Sequence, residues 1–175
     1  NQTALGTVNK SDAISRFRDA NPRTDFRLAG DRIERVFGPA FSTGQTALES
    51  AELFRQKHVG MWGVTPADLI PIGPFEDGRQ TQSIMYIPET GKYKFTGVYY
   101  TQVRDGVPVF RSRIMLLARN EANNPIVLAS SDLRDIGTFR VNATAPVNAG
   151  AAFNSVRDIA GIKAEITLQQ TVIWA

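Results

Sequence analysis

Cysteine is absent from the 175-residue chain, and histidine occurs once, at His58. The first absence removes disulfides, thiolate nucleophiles and cysteine-based metal sites together, and leaves the redox compartment open. The second removes the common hydrolytic zinc site, which needs two histidines a helical turn apart and a glutamate beside the first. No G-x-S-x-G elbow accompanies His58, and no glycine pattern that cradles phosphate is present, since Gly91, Gly97 and Gly106 fall in or beside expected strands and turns. Carboxylates such as Asp31, Glu34, Glu76, Asp77, Glu89, Asp132 and Asp135 are dispersed and read as surface or cap groups. The chain is therefore expected not to be an enzyme and to hold no metal or cofactor.

Long apolar runs, low-complexity tracts and fixed-period repeats are missing as well. A bilayer span needs about 20 apolar residues, so no membrane span is expected. The net charge is only +3, with basic residues spread along the chain. Nucleic-acid binders concentrate charge in a stripe with interleaved aromatics, so no nucleic-acid partner is expected either. What is present, 42% hydrophobic and 21% charged residues, is the composition of an ordinary globular domain, or of two small lobes packed together.

The strongest pattern runs from Tyr93 to Arg119. Tyr93 to Val103 is rich in Tyr, Phe, Val and Thr, and Val107 to Arg119 places Phe110, Ile114 and Leu116 on one face with Arg111 and Arg113 among the residues on the other. Asp105-Gly106 between them is a hairpin signal, because glycine accepts the positive φ of a primed turn. A strand over Ser83 to Ile87 and another over Ile126 to Ser131 extend this pair to a four-stranded meander, and Phe139 to Val141 is a further short strand candidate.

Upstream, Ser11 caps an expected helix through Arg18, closed by Asn21-Pro22, in an arginine-rich arm over residues 1–23. Phe26 to Leu28 and Arg32 to Phe37 flank Ala29-Gly30-Asp31 as a short hairpin. Ser42 to Trp62 reads as a helix with a capping box at Thr46 and Glu49, and its apolar stripe carries Ala47, Ala51, Phe54, His58 and Met61 or Trp62. A lone histidine on such a stripe is expected to be a packed, hydrogen-bonded residue. Ile70 to Gln82 reads as loop. Asn148 caps an expected helix that Gly161 stops, and Lys163 to Trp174 alternates as a long strand.

Two of these stretches carry a resemblance. Gln102, Gly106, Val107, Pro108, Val109 and Phe110 fit the Q-x-x-x-G-V-P-V-F segment of the fungalysin/thermolysin propeptide family, and Gly63 to Leu69 after a helix is similar to its G-(V/L)-x-x-x-D-L pattern. The helix and strand over residues 143–175 resemble the opening of a PepSY-type lobe. The resemblance implies an α+β fold, with a cystatin-like curved antiparallel sheet and a helix packed on one face, followed by a second helix and a long strand. The first lobe would cover residues 1–142. It also implies a non-catalytic prodomain that binds, helps fold and inhibits a zinc metallopeptidase catalytic domain in cis or in trans, in a secreted, extracellular or periplasmic protein whose signal peptide has been removed. Gln102, Gly106 and Pro108 would then be chiefly scaffold, and Tyr99, Tyr100, Arg111 and Arg113 candidates for the outward, partner-facing surface, with ordinary strand decoration as the plainer reading of those four. The alternative is a stand-alone extracellular module of the same fold that binds a protein or a ligand and has no associated peptidase.

Overall fold

Helix α1, Lys10–Ala20, opens the part of the chain described by the computed structural model, which comprises residues 9–138, 140, 141, 150, 154 and 170–175. Its cap is Asn9 rather than Ser11: the Asn9 side chain accepts the Asp12 N–H at 3.2 Å, and the helix starts one residue before the expected hydroxyl cap. At the other end the Asn21 N–H returns to the Phe17 carbonyl at 2.9 Å, and Pro22 follows. Strands β1, Asp25–Ala29, and β2, Arg32–Phe37, then form the expected short hairpin, turning at Gly30 with φ of 64°.

Helix α2, Ala47–His58, is shorter than its sequence pattern. The residues ahead of it are held elsewhere, because the Ser42 carbonyl accepts the Ile126 N–H at 2.9 Å and the Gly44 N–H donates to the Asn123 carbonyl at 3.0 Å. The cap itself forms at Thr46, whose hydroxyl accepts the Glu49 N–H at 3.1 Å. Glu49 reaches one residue further back than a capping box requires and accepts the Gln45 N–H at 2.7 Å. After His58 the chain tightens into a 3-10 turn, Val59–Trp62, and stops at Gly63 in the left-handed region, φ 73°. A second 3-10 turn, Pro66–Asp68, leads into β3, Leu69–Ile70, a two-residue strand where the sequence reads largely as loop.

Strands β4 (Thr81–Ile87), β5 (Lys92–Arg104), β6 (Val107–Arg119) and β7 (Ile126–Ser131) make the expected meander, and the N-terminal hairpin joins through β2 against β7. The result is a seven-stranded sheet in the order β1-β2-β7-β6-β5-β3, with β4 also on β5 and every pairing antiparallel. The β5–β6 turn has φ of 50° at Asp105 and 79° at Gly106, the two positive values that a type I′ turn demands. The architecture is α+β.

Both helices contribute to one core on one side of the sheet. Phe17 of α1 and Phe54 of α2, with Met61 and Trp62 of the 3-10 turn, pack with Val36, Val98, Tyr100, Ile114, Leu116 and Ala129. The rings of Phe17 and Phe41 lie 5.2 Å apart, and the buried Trp62 indole N–H donates to the Ile33 carbonyl at 2.8 Å. Among the described residues no helix is long and apolar enough to cross a membrane. The helix and strand expected over 148–174 and the boundary at 142/143 lie largely outside the described residues, as does Phe139. Arg140 and Val141 form no strand, and the Val141 N–H donates to the Asp105 carboxylate at 3.0 Å.

Candidate partner surface and buried polar sites

Strand β6 departs from regular pairing with β5 at one place, and that departure sets where the motif residues point. Pairing jumps from Val103 opposite Pro108 to Thr101 opposite Arg113, so the stretch Val109 to Ser112 faces Gln102 alone. Arg111 takes a φ of 53° within this bulge. Phe110 is thereby separated from Ile114 and Leu116: it is half-buried, and its ring stacks on Trp174 at 4.7 Å instead of entering the core. Val109 is 2% exposed.

Gln102 is fully buried and answers the bulge with its amide. Its Nε2 donates to the Arg134 carbonyl at 2.8 Å, its Oε1 accepts the Arg134 N–H at 2.9 Å, and the Ser112 hydroxyl donates to the same oxygen. Ser112 also reaches the Asp132 carbonyl at 3.2 Å. A buried amide must satisfy its donors and acceptor internally, and Gln102 does so by holding residues 132–134 against the sheet. Its place is that of scaffold.

Tyr99 and Tyr100 lie on opposite faces, as neighbours on a strand must. Tyr99 lies on the open side, where its hydroxyl donates to Gln82 Oε1 at 2.9 Å. Tyr100, a candidate for the outward surface, is 3% exposed and belongs to the core under α2. Arg111 and Arg113 are exposed.

Three polar groups meet where Tyr100 passes beneath α2. Arg55 pairs with Glu52 through two bonds, Nε to Oε2 at 2.8 Å and Nη2 to Oε1 at 2.6 Å, and its third nitrogen caps the carbonyls of Pro66 and Leu69. Glu52 is held at a pKa of about 2, chiefly by the Arg55 bond and further by Gln56, with burial opposing. Burial, with the Glu52 charge behind it, pushes Tyr100 up to about 12. Leu48, Leu69, Pro71 and Gln80 complete a cleft of about 240 Å³ around these groups. That is smaller than ordinary ligand pockets of roughly 300–1,000 Å³. With Glu52 neutralised by Arg55, the cluster is a clamp from helix to sheet edge. A glutamate three residues before an arginine is visible in the sequence; the carbonyls that Arg55 caps are not.

His58 rests edge-on against Phe17 and Phe54, at 5.0 and 5.2 Å between ring centres. Burial, with Lys57 beside it, lowers its pKa to about 4, so the ring is neutral at physiological pH. Among the described residues no group of three His, Cys, Asp or Glu side chains could hold a metal ion.

The face of the sheet opposite the helices carries no helix among the described residues, and at its β5 margin the Phe75 ring packs edge-on against Tyr99 at 5.5 Å. Register places Phe37, Leu128 and Leu117 in one row and Arg35, Ser130, Met115 and Tyr99 in the next, with Arg113 beside Thr101 in a third. Phe37 is 42% exposed. An apolar centre with arginines at its margin has the composition of a protein-binding surface. Compared with known proteins, the chain matches no family model, no curated protein and no solved structure.

Proposed function

We propose that this chain is a non-catalytic, prodomain-like module that docks on a secreted zinc metallopeptidase domain, helps it fold and holds it inactive, through the open face of its sheet. The observation that carries the reading is the one-sided sheet: helices cover one face, and the other presents Phe37, Leu128, Leu117, Met115 and Tyr99 together with Arg35 and Arg113. A rigid surface of this kind inhibits by covering a substrate cleft and assists folding by giving the partner a template. The one-sided layering and the long Gln102-bearing hairpin also support the cystatin-like form of the fold.

The test is inhibition in trans. The purified chain is titrated against thermolysin-like zinc peptidases of its source organism, and peptide hydrolysis is followed. A saturable loss of activity is expected, and full activity at saturating chain would sink the inhibitory role. In source cells the newly made product should be much heavier than 19.2 kDa. A native product of 19.2 kDa that is never cut from a precursor would instead favour a stand-alone binding module.

A further inference from the structure

Strand β7 pairs with β6 only as far as Ile114. Ser131, the last residue of β7, pairs with Ile114, and the following Asp132 N–H still reaches the Arg113 carbonyl at 2.8 Å. Beyond that point β7 offers Pro108 to Phe110 no pairing. Ile173 occupies this edge in a parallel bridge with Val109. Its N–H donates to the Pro108 carbonyl at 2.8 Å, and its carbonyl accepts the Phe110 N–H at 2.8 Å. The next residue, Trp174, lays its ring on Phe110 at 22° between planes, while remaining 79% exposed. The Arg111 guanidinium also stands 5.2 Å from the centre of the Phe110 ring.

We propose that the Pro108–Phe110 edge is a peptide-binding site of the strand-addition kind, whose ligand is an extended segment with a non-proline residue followed by an aromatic one. The chain's own Val172–Trp174 fills it. The chemistry is explicit in the contacts. The residue at the bridge must offer both an N–H and a carbonyl, which excludes proline. Its successor must offer a flat ring to Phe110, which the bulge has kept out of the core. Strand addition of this kind takes affinity from main-chain bonds and selectivity from alternate side chains. So small a contact persists in cis because the tether holds the segment at about millimolar effective concentration, and a partner segment of the same chemistry displaces it. The site is an edge, distinct from the open face, and it stands whether or not that face docks a peptidase.

The test uses the full chain carrying I173P and W174A, which removes the N–H and the ring, and an N-acetylated, C-amidated hexapeptide QTVIWA as probe. Amide spectra of the labelled protein are followed during titration. The peptide is expected to shift the Phe110 and Arg111 amides of the vacated chain at least about tenfold more tightly than those of the parent, whose own segment competes. Adding Phe110→Ala should weaken binding several-fold. Equal affinity for parent and vacated chains, indifference to Phe110→Ala, or no shift at millimolar peptide each overturns the proposal. Should the double variant fail to fold, Trp174→Ala alone changes only an exposed ring. The Phe110 amide should then exchange with solvent faster than in the parent, and unchanged exchange overturns the proposal equally.

Discussion

The side chain of Gln102 is bonded to the main chain of Arg134 in both directions, donating to its carbonyl at 2.8 Å and accepting its N–H at 2.9 Å. An amide side chain thus does for one residue what a neighbouring strand would do, at the point where β7 has ended and β6 bulges. Replacing Gln102 with leucine leaves the half-buried Arg134 N–H and carbonyl without their partner, while the Ser112 hydroxyl keeps the Asp132 carbonyl. Each unsatisfied group costs about 1–3 kcal/mol, so a loss near 3 kcal/mol is expected in urea unfolding. A loss below about 1 kcal/mol would mean that this amide does not hold the segment.

Removing Arg55 should act on two elements at once, because its guanidinium joins Glu52 on α2 to the Pro66 and Leu69 carbonyls ahead of β5. Arg55→Ala is expected to destabilise by about 2–3 kcal/mol, and Arg55→Lys by about half as much, since an ammonium lacks the planar fork. A double-mutant cycle with Glu52→Gln isolates the pair. Coupling below about 0.5 kcal/mol would reduce this contact to an ordinary surface ion pair.

The hairpin, the caps at Thr46 and the helical stripe were legible because each rests on a local rule: Asp105-Gly106 demands a primed turn, and Thr46 placed ahead of an apolar run demands a helix start. The face of Phe110 was not legible. Alternation along β6 continues only if pairing is regular, and the bulge that breaks it falls on Phe110 and Arg111, with no glycine to announce it. Tyr99 and Tyr100 mark the opposite case. Period-two geometry forbids both from facing outward, and the buried one is settled by α2 crossing above it. The Arg55 clamp depended on carbonyls brought up by a 3-10 turn, which side-chain patterns do not encode.

Acid should weaken the fold first through His58. Its pKa falls from 6.5 to about 4 on folding, so between those values the unfolded chain binds more protons and stability declines as pH drops. For this half-buried ring the loss, allowing for solvent screening, is about 1–2 kcal/mol between pH 7 and pH 4. Because His58 is the only histidine, His58→Gln should flatten the stability profile between pH 6.5 and pH 4.5. Below that, the Glu52 contribution fades as pH falls from 4.5 toward 2. An unchanged slope in His58→Gln would place the acid sensitivity elsewhere.

The open face can be tested without disturbing the core behind it. Arg113 is exposed, and Met115 lies beside Tyr99 on the side away from the helices, so Arg113→Glu with Met115→Glu reverses one charge and adds another within the apolar patch. Surface changes of this kind alter stability by about 0.5 kcal/mol, whereas a charge buried without a partner in an interface weakens binding by about 2–5 kcal/mol. The double variant should therefore unfold near the parent midpoint and lose at least about thirtyfold in inhibition of the peptidase. Arg111→Glu, at the bulge rather than on the face, should leave inhibition within about threefold of the parent. If the double variant inhibits as well as the parent while Arg111→Glu does not, the partner sits on the hairpin edge, and the one-sided sheet is not the docking surface.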